Sequence, residues 1–326
     1  MTVSEILEGI KGLRVLVIGD VCLDRWCWYD PATSEPSRET GLPRLGVIRT
    51  EVTPGAGGTI ANNLKTLGAG TVDVLGVVGC DGFGWELLGA LGARGIGSDL
   101  LIRSEEACTF TYTKLINEST GQEDRPRVDF INTEPLSAGT ETLVIERLAE
   151  ASLQADVILV SDQAETNAGG VVTARVRQRI NQLASSHPEK VIWVDSRRRA
   201  ELFSRVVLKP NEDEAADACR RAFGTVDLER LRKSCHLRSL IVTRGDRGAD
   251  VINPDGTHFV PGRRVTAVDI CGAGDSFSAG GACALALTGS DIEAARFGNL
   301  VASITVTKKG TGTASAAEVL EAAASE

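Results

Sequence analysis

The stretch Val268-Asp269-Ile270-Cys271-Gly272-Ala273-Gly274-Asp275-Ser276-Phe277 carries the reading from which the rest of the chain is understood. β-Branched residues between Arg264 and Ile270 predict a strand. Small apolar residues from Ser276 to about Leu287 predict a helix, with Gly272, Ala273 and Gly274 as the turn between them. A glycine turn at a helix N-terminus leaves backbone N–H groups without intrahelical partners, and the helix dipole adds partial positive charge there. Such a turn binds anions, phosphates above all. A carboxylate in it, Asp275, would repel the same anion. The combination has a use if Asp275 takes a proton from a hydroxyl while the N–H groups of Gly272 to Gly274 hold the phosphoryl group under attack. The alternative is an acidic first-turn residue that only stabilises the helix, and the local pattern is compatible with both.

Outward from this turn, the segment from residue 140 onward alternates helices and buried strands. Helix Glu141–Ala151 precedes strand Val157–Val160, and helix Ala168–Ser185 precedes strand Val191–Asp195. Val206–Leu208 precedes a helix starting at Asn211, and strand Ser239–Thr243 follows. At the N-terminus, Arg14–Gly19 and Val72–Val78 read as further buried strands, and Thr59–Leu67 and Asp81–Gly92 as helices. This rhythm predicts an α/β fold, a mostly parallel sheet covered on both faces. Two irregular β-like stretches, about 28–53 and 106–131, do not fit it and are expected to form an accessory sheet. No linker separates halves, so residues 1–326 are expected to form one domain.

Composition limits the partners. The 35 basic and 44 acidic residues give a net charge of −9, which argues against nucleic acid or an anionic membrane surface. It leaves room for a small anionic substrate in a local cationic pocket. No secretory leader or membrane-length apolar run is visible, and the eight scattered cysteines include no CxxC pair. A cytoplasmic protein without structural zinc or disulfides is the expectation. A P-loop is absent, and the glycine clusters at 55–58 and 76–84 lack dinucleotide-binding spacing.

Four ordered segments resemble the ribokinase-like (PfkB) sugar kinases: Gly272-Ala273-Gly274-Asp275, Asn211-Glu212-Asp213-Glu214, Thr243-Arg244-Gly245-Asp246-Arg247-Gly248, and Asn299 with Val306-Thr307-Lys308-Lys309-Gly310. Each alone has an ordinary structural reading; together and in order they are specific. The resemblance implies a ribokinase-like fold with a small β-sheet lid, which could pair in a homodimer. It implies transfer of phosphate from ATP to a sugar hydroxyl, with Asp275 as base and Gly272, Ala273 and Gly274 as the anion hole. Asn211 and Glu214 would organise magnesium, and Thr243, Gly245, Gly248 and Asn299 would hold the nucleotide. Asp269, Cys271, Thr305, Lys308 and Gly310 would surround a potassium-type ion.

Within the family the chain is similar to the heptose-7-phosphate kinases of ADP-heptose synthesis. The likeness lies in Ile18–Trp26, Thr113–Leu115, Arg127–Phe130 and Lys309–Ser315. Some of those enzymes carry a fused nucleotidyltransferase, for which this sequence ends too soon. The resemblance places Asp20, Asp24, Gly57, Gly58, Thr59 and Asp162 on the sugar side. Departures occur there. Thr59 stands where the family's glycine signature ends in Asn, and Glu165 stands where the heptose kinases have Lys. Arg38, Arg44 and Arg197 to Arg199 are candidates to replace that cation. The rival readings are a kinase for an unphosphorylated sugar or nucleoside, and a non-catalytic sensor on the same fold.

Overall fold

In the strand Arg14–Gly19 every residue after Arg14 is buried. Successive side chains enter different cores: Val15 and Val17 go to one, Leu16 and Ile18 to the other. Val157 and Leu159 against Ile158 and Val160 repeat this, as do Val191 and Trp193 against Ile192 and Val194. A strand that buries both faces must lie between two layers of helices.

The computed structural model describes residues 1–166 and 168–325. The chain begins with α1 (Val3–Ile10), β1 (Arg14–Gly19), β2 (Val21–Tyr29), β3 (Val47–Ala56), α2 (Gly57–Leu67), β4 (Thr71–Leu75), β5 (Val77–Gly79) and α3 (Gly82–Gly92). Its middle holds β6 (Ile102–Ser104), β7 (Thr111–Asn117), β8 (Gln122–Glu123), β9 (Val128–Phe130), α4 (Ala138–Gln154), β10 (Val157–Asp162), α5 (Ala174–Ser186), β11 (Val191–Ser196) and β12 (Val207–Leu208). It closes with α6 (Glu212–Phe223), α7 (Leu228–Ser234), β13 (Ser239–Thr243), β14 (Gly248–Asn253), β15 (Gly256–Pro261), α8 (Ala273–Thr288), α9 (Asp291–Thr305) and α10 (Ala316–Ala324).

The main sheet has eight strands in the order β15-β14-β13-β12-β11-β10-β1-β4. Pairing is parallel from β4 across to β13 and antiparallel for β14 and β15 at one edge. Helices α1, α2, α8, α9 and α10 pack their apolar residues on one face, and α4 to α7 on the other. The predicted α/β architecture is therefore the observed one.

A second sheet stands off the first. Its strands run β3-β2-β7-β8, with β9 paired to β7, and every one of them falls in or overlaps the two irregular stretches. β2 leaves β1 after Gly19, so the lid is tethered at the end of the next-to-last strand of the main sheet, beside the cleft it covers. Among the described residues no helix is long and apolar enough to cross a membrane.

Three predicted elements differ. Arg264–Ile270 is no strand: the Val268 and Asp269 N–H groups both donate to Val306 O, so no ladder forms. Its Val265 and Ile270 side chains instead line a cavity described below. Val72–Val78 breaks at Gly76 into β4 and β5, which join different sheets. A Cβ at Gly76 would lie 2.7 Å from Gly19 O, so the backbones approach too closely for another residue. The helix expected from Ala168 begins only at Ala174, because Thr173 caps it and Gly170 adopts φ +106°.

Candidate active site

Helix α8 starts from the glycine turn, with Gly272 at φ +78° in the left-handed region that glycine favours. No side chain caps this end. The Ala273 N–H donates to Ile270 O at 3.2 Å. The N–H groups of Gly272, Gly274 and Asp275 have no partner among the described residues. Three unpaired donors at the positive end of a 16-residue helix suit an anion.

This turn is the wall between two cavities. One, of about 170 Å³, is lined by Gly272 and Asp275 together with residues of the lid. The other, of about 280 Å³, is lined by Ala273 and Gly274 together with the turns after β13 and β15. A group bound at the anion hole is thus reachable from both sides.

In the first cavity β2 supplies Asp24, β7 supplies Tyr112 and Lys114, and the approach to β9 supplies Arg127. The loop after β10 adds Gln163 and Glu165, that after β11 adds Arg197, and α2 adds Thr59. Burial pushes the Asp275 carboxyl up to about 7, with the Asp195 charge adding to it and Lys209 and Arg197 opposing it. A base poised near neutrality suits proton abstraction from a hydroxyl. Burial also lifts Asp24, to about 6, against the pull of Lys114 and Arg127. Every cation here has a carboxylate partner. Arg25 lies 3.1 Å from Glu86, Lys114 4.0 Å from Glu123, Arg127 2.7 Å from Asp129, and Arg197 2.7 Å from Glu165.

The second cavity brings together Thr243, Gly245, Gly248 and Asn299, as the sequence predicts. Its apolar wall comes from Val265, Ala267, Ile270, Phe277 and Val306, which suits a flat aromatic base. Asn299 donates to Pro261 O at 3.2 Å, tying α9 to the end of β15. Asn211 and Glu214 form a reciprocal cap at the start of α6: each backbone N–H donates to the other's side-chain oxygen at 2.9 Å. An isolated bridge between Asn211 and Thr243 brings this cap to the turn after β13.

Other candidates lie behind the cavity walls. Asp20 is buried and accepts from the Gln163, Ala164 and Val171 N–H groups, each at 2.8 Å, so its oxygens hold a loop. Asp162 is buried against Arg199 at 2.7 Å and Ser196 at 2.6 Å. Gly57 and Gly58 pack against Asp20 O and Pro54, leaving Ala56 and Thr59 to face the cavity. Of the three arginines after β11, Arg197 reaches the first cavity, Arg198 donates to Glu165 O, and Arg199 serves Asp162. Arg38 and Arg44 do not line it.

The Asp269 carboxylate accepts from the Cys271 N–H at 2.9 Å and the Gly310 N–H at 3.0 Å. Thr305 O accepts from the Lys308 N–H at 3.1 Å, and Lys308 Nζ from its side donates to Thr313 O at 2.5 Å. These five residues thus form one loop cluster beside the glycine turn. Among the described residues no group of three or more His, Cys, Asp or Glu could hold a metal ion. The donors present suit a cation held by backbone oxygens or by phosphates and water, not by a carboxylate cage.

Sequence reading missed one pair. Asp195 at the end of β11 and Lys209 just after β12 form a buried ion pair of 2.6 Å beneath the glycine turn. Only the parallel register, with Val194 opposite Leu208, brings them together.

A buried carboxylate at the start of a helix, unpaired N–H groups beside it and a cleft on either side suit a phosphotransferase with a hydroxyl acceptor. The sequence profile of the pfkB family carbohydrate kinases matches residues 15–318, and the chain belongs to that family. The bifunctional protein HldE of Pelobacter propionicus is 32% identical over 337 residues, which cover 99% of this chain and 66% of that protein. The chain therefore spans just under two thirds of that relative's length, in keeping with the resemblance to the heptose-7-phosphate kinase branch. Ribokinase from Thermotoga maritima superposes with a TM-score of 0.67 at 21% identity, covering 96% of this chain and 100% of that one. Ribokinase from Arabidopsis thaliana, solved with ribose and ATP, gives 0.67 at 17% identity, covering 96% and 99%. The ribokinase-like fold is thereby established.

Proposed function

We propose that the chain transfers the γ-phosphoryl group of ATP to a hydroxyl of a sugar phosphate, with a heptose 7-phosphate as the acceptor to try first. The observation that carries this reading is Asp275, which faces the lid-side cavity while the N–H groups of its own turn stand between that cavity and the second. The acceptor hydroxyl loses its proton to Asp275 Oδ, its oxygen attacks the γ-phosphorus, and the bond to the β-phosphate oxygen breaks. The Gly272, Gly274 and Asp275 N–H groups take up the charge on the moving phosphoryl. Asp24 accepts hydrogen bonds from sugar hydroxyls, for which a carboxylate is well suited.

Lys114, Arg127 and Arg197 supply the charge for an acceptor phosphate. Arg197 stands in for the cation that the heptose kinases carry where this chain has Glu165. Thr243, Gly245, Gly248 and Asn299 would hold the nucleotide. Asn211 and Glu214 would reach magnesium through water, and Asp269, Cys271, Thr305, Lys308 and Gly310 would hold a potassium-type ion. Bound with ATP, magnesium would neutralise phosphate charge. Pairing of two lids in a homodimer, in the cytoplasm, belongs to the same reading.

The second reading, an unphosphorylated acceptor, draws on the carboxylate partner that each cavity cation already has. ADP release across sugars, sugar phosphates and nucleosides, with magnesium and potassium, separates the two. Turnover confined to sugar phosphates supports the first reading. Turnover confined to unphosphorylated acceptors sinks it.

A further inference from the structure

At the end of the main sheet away from the glycine turn, the segments entering β11, β12 and β13 each bring in basic side chains. Lys190 immediately precedes β11, Arg205 lies two residues before β12, and His236 and Arg238 sit between α7 and β13. The three strands are parallel neighbours, with Trp193 opposite Val207 and Val207 opposite Ser239. Adjacent strands lie about 4.8 Å apart, so long side chains at their entries can meet. All four basic residues line one cavity of about 230 Å³, and no Asp or Glu among the described residues lines it. Glu189, beside Lys190, lies 3.2 Å from His187, and Asp156 pairs with Arg14 at 2.9 Å. Lys190 Nζ donates to Ala155 O at 2.6 Å, which leaves two of its N–H groups. Neither the Arg205 nor the Arg238 side chain has a hydrogen-bond or ion-pair partner among the described residues. The lid-side cavity differs, since each cation there already faces a carboxylate.

The backbone singles out the same place. Among the described residues, three that are not glycine take a positive φ: Ala56, Arg205 at +61° and His236 at +53°. Ala56 lines the lid-side cavity, and the other two line this one. Left-handed backbone strains an L side chain, whereas glycine adopts it freely. Strain of this kind gathers where a side chain's position serves a ligand. We propose that this cavity is a second anion site, which takes a phosphate or diphosphate group as the free ion or as the head of a phosphorylated small molecule. The planar forks of Arg205 and Arg238 match pairs of phosphate oxygens, and Lys190 adds a point charge between β10 and β11. Ala184, Pro188 and Ile192 give an apolar wall for the organic part of an ester. Lys190 and Asp195 stand at opposite ends of β11, about 17 Å apart at a rise of about 3.3 Å per residue. The site is therefore separate from the transferring phosphoryl group, and it stands whether or not the chain is a sugar-phosphate kinase.

The probes are inorganic phosphate, inorganic diphosphate and glycerol 3-phosphate, titrated into the full chain without magnesium or nucleotide. Phenylglyoxal footprinting of the wild type, which needs no variant, places the anion. Diphosphate should shield Arg205 and Arg238 and leave Arg220, exposed on α6, as reactive as before. Shielding of Arg197 alone would put the anion in the lid-side cavity and overturn the proposal. In calorimetry, Arg205→Gly/Arg238→Gln should abolish one site for diphosphate or weaken it at least tenfold. Arg220→Gln should leave that affinity within twofold; an equal loss there would reduce the effect to net charge and overturn the site. Arg205→Gly also separates ligand from fold, because glycine keeps the left-handed turn. Without ligand its Tm should hold or rise, while the upward shift of Tm that diphosphate gives the wild type shrinks. A lower Tm with diphosphate affinity intact would mean that Arg205 serves the fold alone. Should the double variant fail to fold, Arg238→Gln decides, with an expected loss of at least threefold. Glycerol 3-phosphate binding more tightly than phosphate identifies an esterified ligand, and equal binding the free ion; both support the site.

Discussion

Folding changes the chemistry of one carboxyl more than any other at this site. The native state holds a proton on Asp275 up to about pH 7, far above the ordinary carboxylate range. The native chain therefore binds that proton more tightly than the unfolded one. The resulting cost is absent below about pH 4, grows as pH rises through the interval, and is complete above pH 7. Asp275→Asn should raise Tm at pH 8 and leave it unchanged near pH 4, as calorimetry across pH would show. The same substitution should lower kcat by about a thousandfold or more with ADP affinity retained, since it removes the base and not the anion hole. Near-normal turnover would sink the base assignment. In the wild type, kcat/KM should climb along an acid limb centred near pH 7. A limb centred near pH 4 would mean that the carboxylate stays charged. Asp275, in its turn, and Asp24, on β2, both line the lid-side cavity. Asp20 and Asp162 sit in equally suggestive turns, yet face inward to N–H groups and to Arg199. A sequence shows which residue follows a strand, not which way its carboxylate turns.

Elements were legible where strands are apolar throughout and obscure where apolar residues line a cleft. The strands from β10 to β13 read as continuous apolar runs, since each buries both faces. The run Arg264–Ile270 has strand composition, but Val265 is 42% exposed and Ile270 75% exposed, lining a cleft with no sheet edge to join. The break between β4 and β5 depends on Gly19, far away in the chain. The turn before α8 gives a sharper test. Gly272 combines φ +78° with a Cβ position 3.1 Å from Thr59 Cγ2. Gly272→Ala should cost about 1–2 kcal/mol from backbone strain alone and displace the unpaired N–H groups. Turnover should fall tenfold or more while circular dichroism still shows the native helix content. A variant with unaltered kcat would show that the turn's left-handed geometry is not needed for transfer.

At the scale of the whole molecule, an acidic chain of net charge −9 gathers Lys114, Arg127 and Arg197 at one cavity. On the proposed reading, an anionic acceptor is repelled by the surface and drawn by those three cations. Mobile ions screen the two contributions over a distance of about 10 Å at 0.1 M salt. Arg197→Gln should raise KM for a phosphorylated acceptor about tenfold and leave KM for ATP within twofold. No change in acceptor KM would remove Arg197 from the phosphate site. The accessory sheet was legible as an interruption in the helix–strand rhythm. Its position over the cavity was not, because β2 meets β7 only through pairing of residues some ninety positions apart (Leu23 with Thr111). The Asp195–Lys209 pair was hidden for the same reason.

The division of the cleft by four residues also bears on chemical design. Each compartment has its own lining, with Gly272 and Asp275 on one side and Ala273 and Gly274 on the other. A synthetic compound meant to occupy both would have to straddle a saddle of backbone. Short oligophosphate tethers should fit such a saddle, and bulky or rigid hydrocarbon tethers should not.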